Sequence, residues 1–80
     1  MPPRQEIDRN AVRFGAAVRR LRKAKGWTIL QFSRKADMNP TYLGILERGK
    51  NTPSLTVVLH LANVLGVEAW TIIAEVEGVA

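Results

Sequence analysis

The chain of 80 residues contains no cysteine. Disulfides and thiolate metal sites are therefore excluded. Stability must come from an efficient core, because a domain of this length hides only roughly 60–65% of its unfolded surface. One histidine, His60, leaves no His cluster for a metal. The same scarcity removes any nucleophile–base–orienter arrangement; the seven acids are scattered, and no Gly-rich phosphate loop is present. Neither enzymatic chemistry nor a cofactor is expected. No apolar run approaches the ~18–20 residues of a membrane span. The opening Met1-Pro2-Pro3-Arg4-Gln5-Glu6 lacks the apolar centre of a secretory signal. A reduced, cytoplasmic protein without a membrane partner is the expectation.

Positive charge is missing from one end. Residues 51–80 hold no Lys or Arg and three acids, whereas the stretch from Arg4 to Lys50 holds all twelve cations against four acids, a surplus of +8. A merely soluble surface would scatter both signs. This asymmetry points instead to a polyanion on the basic side. The basic segment lacks the broad apolar face that sinks into a bilayer interface, which favours nucleic acid over membrane.

The hydrophobic periodicity is helical throughout. Residues 1–8, Pro-rich and polar, are predicted as a flexible N-terminal arm and 9–77 as one domain. Asp8 or Asn10 can cap a first helix whose apolar stripe is Phe14, Val18 and Leu21. Gly26 ends it. Thr28 caps a second helix carrying Phe32 and Ala36. After a tight turn, Asn39-Pro40 opens a third, running through Tyr42, Leu43 and Leu46 to Arg48 and stopping at Gly49. Ser54 opens a fourth, apolar nearly all round and so expected to be buried on more than one side. A fifth covers about 68–76. Two short helices joined by a three-residue turn, the second with a capped polar start, form a helix-turn-helix, which places its second helix in the major groove.

The residues around that motif narrow the reading. Phe14-Gly15, Val18-Arg19-Arg20-Leu21-Arg22, Lys25-Gly26-Trp27-Thr28, Tyr42-Leu43-Gly44-Ile45-Leu46-Glu47-Arg48-Gly49-Lys50 and Pro53-Ser54-Leu55 closely resemble the Cro/phage-repressor (XRE-type) family. Leu61-Ala62 and Leu65-Gly66-Val67 resemble its fourth-helix ending. The likeness covers about residues 12–75, and in length the chain is similar to the controller proteins of restriction–modification systems. The resemblance implies an all-α, compact five-helix, lambda-repressor-like DNA-binding domain. It further implies a homodimeric transcriptional regulator on a partly palindromic operator in double-stranded DNA. Carried over by position, base readout falls to Asn39, Pro40, Thr41, Gly44 and Ile45. Phosphate contacts fall to Arg19, Thr28, Tyr42, Arg48, Lys50 and Asn51. Arg22 and Glu47 match a pair that ties the first helix to the third.

The sequence also departs from the family. Gln usually follows the Thr; here Ile29 stands there, and Gln31 lies roughly 200° further round the helix. Pro40 and Ile45 replace polar residues, so bidentate readout of bases is largely absent. A·T-rich sites, shape readout or backbone contact are favoured instead.

Each feature has a plainer reading. Arg19, Arg20, Lys23 and Lys25 can be a solvated face, and Tyr42 a half-buried ring. Arg22 and Glu47 can be surface neighbours, although a partly buried pair is favoured. Trp27 and Trp70 are core types, and His60 is structural or exposed. Yet Leu61, Val64, Trp70, Ile73 and Val76 exceed what one small core can hold, and such a surplus marks a dimer interface. Two other classes stay open: an antitoxin whose apolar patch holds a toxin, and an interaction module with lost base readout. RNA polymerase and a toxin stand as further candidate partners.

Overall fold

Four helices begin at a residue whose side-chain oxygen accepts from the free N–H groups of the first turn. The computed structural model describes residues 8–79. The arm expected over residues 1–8 therefore lies, Asp8 apart, outside the described residues. Five helices follow: α1 (Arg9–Ala24), α2 (Ile29–Ala36), α3 (Pro40–Glu47), α4 (Leu55–Leu65) and α5 (Ala69–Glu77). Asp8 caps α1, its carboxylate accepting from the amides of Asn10 and Ala11, and Ser54 caps α4. Thr28 and Gln31 form a reciprocal capping box on α2. Asn39 caps α3, and Pro40 at its first position has no N–H to leave unpaired. Arg48 is the C-cap of α3 and not its last helical residue. Asp37 closes α2 in the left-handed conformation at φ 52°, one that Asp tolerates better than most side chains.

Phe14, Val18, Phe32, Leu43, Leu46, Leu61, Leu65 and Ile72 form one core to which every helix contributes. The stripe that α4 buries is Val58, Leu61, Ala62 and Leu65, a single helical face. Two expectations are corrected here. α4 is not buried on more than one side, because only its one stripe meets the other helices: Leu55 and Leu59, off that stripe, are 72% and 52% exposed. Leu61, counted among interface residues, is completely buried in the protomer's own core and presents nothing to a partner.

α1 crosses the end of α3 with no space to spare. A Cβ on Gly15 would stand 2.2 Å from the Leu46 carbonyl oxygen and 2.6 Å from that of Glu47. Gly49, at φ +70°, likewise turns against the Val12 backbone, where a Cβ would lie 2.6 Å from Cα. Two glycines thus let the basic first helix and the third helix touch backbone to backbone. Among the described residues no single helix is long and apolar enough to cross a membrane.

Candidate nucleic-acid interface

The turn Asp37-Met38-Asn39 sets α3 across α2, with Leu43 and Leu46 driven into the core and Pro40 and Thr41 left exposed. An open concavity of about 520 Å³ lies where α1, α2 and α3 meet. Pro40, Thr41, Gly44 and Arg48 line it from α3 and the residue behind it, at spacings that put them on one side of the helix. Ile29 at the start of α2 and Arg19 from α1 complete the walls.

Its floor is an ion pair. Arg22 donates from Nε to Glu47 Oε2 at 2.8 Å and from Nη2 to Oε1 at 3.0 Å, while Nη1 donates to the Trp27 carbonyl at 2.8 Å. The side chains are only 11% and 6% exposed, so this is a largely, though not wholly, buried bidentate pair and not a pair of surface neighbours. The Glu47 carboxylate raises the Arg22 pKa further above its ordinary value, against the opposing pull of desolvation.

The other cations are deployed differently. Among the described residues Arg20 pairs with Glu75. Arg19, Arg34, Arg48 and Lys50 form no ion pair there, and all four are exposed. Lys25 and Lys35 hold their ammonium groups 5.8 and 4.9 Å from the centre of the Trp27 ring. Arg19 and Arg48, which form no ion pair among the described residues, thus stand in the concavity beside Pro40, Thr41 and Gly44, where exposed cations can meet phosphate.

Residues 18–69 match the Helix-turn-helix family. That is well over half of the chain. The protein belongs to the XRE-type helix-turn-helix family. It is 31% identical over 61 residues to the immunity repressor protein of Bacillus phage phi105, covering 76% of this chain and 42% of the repressor. It is 34% identical to the uncharacterized HTH-type transcriptional regulator YazB of Bacillus subtilis, covering 70% of this chain and 81% of YazB. The chain thus spans under half the length of the phage repressor. Among solved structures, the clp gene regulator ClgR of Corynebacterium glutamicum superposes with a TM-score of 0.82 at 27% identity, over 91% of this chain and 78% of that one. The restriction–modification controller protein C.AhdI of Aeromonas hydrophila does so with a TM-score of 0.75 at 33% identity, over 79% and 96%. The family is one of DNA-binding transcriptional regulators and not an enzyme class.

Within this helix-turn-helix protein the candidate residues do not all gather at one place. Arg19, Pro40, Thr41, Gly44 and Arg48 share the concavity. Ile45, one position on from Gly44, turns off its rim and is half-buried. Asn39 is exposed, but its Oδ1 already accepts from the Thr41 and Tyr42 amides, leaving only the amide nitrogen to donate. Thr28 accepts from the Gln31 amide and keeps its own hydroxyl proton for another acceptor. Gln31 spends its carbonyl on the Thr28 amide. Tyr42 packs against the core, while Lys50 and Asn51 stand exposed in the following loop.

At the other end of the molecule Trp70 is 70% exposed, against its reading as core, with Ile73 beside it and Val64 and Val76 partly covered. Sequence reasoning missed Ile29 as a wall of the concavity and Leu55 and Leu59 as surface. The second pair was legible, since Leu55 and Leu59 fall outside the stripe of Val58, Leu61, Ala62 and Leu65. His60 is structural: its Nε2 lies 2.6 Å from the Ala36 carbonyl and, facing an acceptor, donates to it.

Proposed function

We propose that the chain regulates transcription as a homodimer that seats α3 in the major groove of a partly palindromic operator. The observation that carries this reading is the pair of exposed, unpaired cations, Arg19 and Arg48, on the walls of the concavity that bares the first turns of α3. Cations so disposed meet phosphates while the helix between them faces base edges. Arg19, Thr28, Tyr42, Arg48, Lys50 and Asn51 hold the backbone, and Asn39, Pro40, Thr41, Gly44 and Ile45 face the bases. Trp70 and Ile73, flanked by Val64 and Val76, form the two-fold contact, since an exposed apolar patch is self-complementary across such an axis. Regulation is by occupancy of the operator, which excludes or recruits polymerase.

Selection of bound fragments from a random DNA pool, with sedimentation of the free protein, tests this. The expected site has two half-sites about one helical turn, roughly 34 Å, apart. Log K should fall with log salt by about 0.9 for every phosphate neutralised. Trp70→Ala should weaken self-association and operator affinity together. A monomer at several hundred micromolar, or binding blind to sequence, overturns the reading.

A further inference from the structure

The part of the concavity formed by Ile29, Pro40 and Thr41 is carbon apart from the Thr41 hydroxyl, while Arg19, Arg22, Glu47 and Arg48 supply its charged lining. Ile29 is half-buried at its side, Pro40 and Thr41 are exposed across from it, and Gly44 contributes no side chain between them. A Cβ on Gly44 would meet only the Arg48 guanidinium, at 3.0 Å, so the gap is open to an incoming group except for that flexible arm. The charged atoms beneath cannot read a base. Both Glu47 oxygens accept from Arg22, and the pair is nearly shielded from solvent.

The major groove offers one apolar group, the C5-methyl of thymine, beside acceptors and donors that distinguish the other edges. The methyl and methylene groups of Ile29, Pro40 and Thr41 suit that group, whereas a bare donor or acceptor there has only the Thr41 hydroxyl and the Arg48 guanidinium to meet and is otherwise left unpaired, which is costly once desolvated.

We infer that this protein selects its operator by burying the 5-methyl group of a pyrimidine between Ile29 of α2 and Pro40 and Thr41 of α3. The inference rests on the reading of α3 as the major-groove helix. It makes Ile29, on the supporting helix, a specificity-determining residue in place of a hydrogen-bonding side chain. The shared chemistry is a 5-methylpyrimidine, which thymine supplies in any DNA and 5-methylcytosine in modified DNA.

Deoxyuridine isolates the methyl, because it keeps the O4 acceptor of thymine and lacks only that group. The selected operator should be resynthesised with deoxyuridine at each thymine in turn and affinity measured by fluorescence anisotropy at one salt concentration. At one or two positions in a half-site the loss should be about four-fold, the factor that burial of one such group contributes. In a second arm, a 5-methylcytosine·guanine pair at the same position should bind about as much tighter than the unmethylated pair; equal binding of the two assigns the contact to thymine alone. Thr41→Ser, at an exposed position where folding is not at risk, and Ile29→Ala should each shrink the thymine-to-uridine ratio toward one while the salt slope stays constant. Specific, salt-dependent binding with no deoxyuridine effect anywhere overturns the inference and leaves the operator reading intact. Absence of specific binding overturns both.

Discussion

Replacing Glu47 by alanine should cost about 3 kcal/mol of folding stability, within the range for leaving one member of a buried ion pair unpartnered. The magnitude follows from geometry. Arg22 is 11% exposed, and two of its three hydrogen bonds end on Glu47. With the carboxylate gone, only the Trp27 carbonyl remains to a guanidinium that cannot lose its proton, so the charge stays buried and under-solvated. An exposed pair would lose under about 1 kcal/mol. Urea melts of Glu47→Ala, Arg22→Met and the double variant close a thermodynamic cycle. Each single change should lower the midpoint strongly. The double variant should be much closer to wild type than the sum, because two apolar side chains need no partners. Losses below about 1 kcal/mol for both single variants would refute the assignment of a desolvated pair.

Three more outcomes can be checked independently. Gly15→Ala should destabilise by about 1–3 kcal/mol in the same melts despite alanine's better helix propensity, because its Cβ meets the Leu46 and Glu47 carbonyls, which no side-chain rotation can move aside. Gly44→Ala should separate stability from function: it gains up to about 1 kcal/mol of helix propensity and displaces only the Arg48 guanidinium, yet closes the cleft, so the melting temperature rises while operator affinity falls. Asp8 is held below the ordinary carboxylate range, chiefly by the Thr52 hydroxyl and then by the Ala11 amide. Its contribution is therefore complete above an unfolded pKa of about 3.9 and is lost as pH falls through the lower folded value. Thermal melts from pH 5 downward should show Asp8→Asn losing less stability with acid than wild type.

The helices were legible because their ends carry chemistry. Asp8, Thr28, Asn39 and Ser54 are cap residues, each found accepting from a first-turn amide. The Arg22–Glu47 pair was legible only through family resemblance, since a separation of 25 positions puts it beyond any spacing rule. What composition hid was burial. Leu, Val and Trp carry one hydropathy wherever they stand, and α4 seemed apolar all round, although only the face of Val58, Leu61, Ala62 and Leu65 finds partners. Of the residues assigned to one interface patch, Leu61 consequently proved wholly inside while Trp70 is 70% exposed. The carbon-lined cleft was hidden for a different reason. Ile29 and Pro40 stand on different helices, and only the turn between those helices brings them to one wall.

That turn also explains how few hydrogen-bonding side chains the reader can carry. Asn39, Thr28 and Gln31 are polar residues at helix starts near the interface, and each commits an oxygen to capping. The polar groups that hold α2 and α3 in place are thereby partly withdrawn from the bases. Precision must then come from position. Gly15 and Gly49 clamp α3 against α1 backbone to backbone, and Arg22 pins the last residue of α3 from below. The backbones that carry Arg19 and Arg48 are consequently held at a fixed offset from Pro40 and Thr41, while the exposed side chains themselves stay flexible. In the proposed complex, phosphate contacts that carry no sequence information would set the depth at which the cleft meets the groove. If a methyl contact is the discriminating one, as inferred above, a rigid frame of this kind is what would let so weak a contact discriminate, because the cleft could not slide to recover the loss elsewhere.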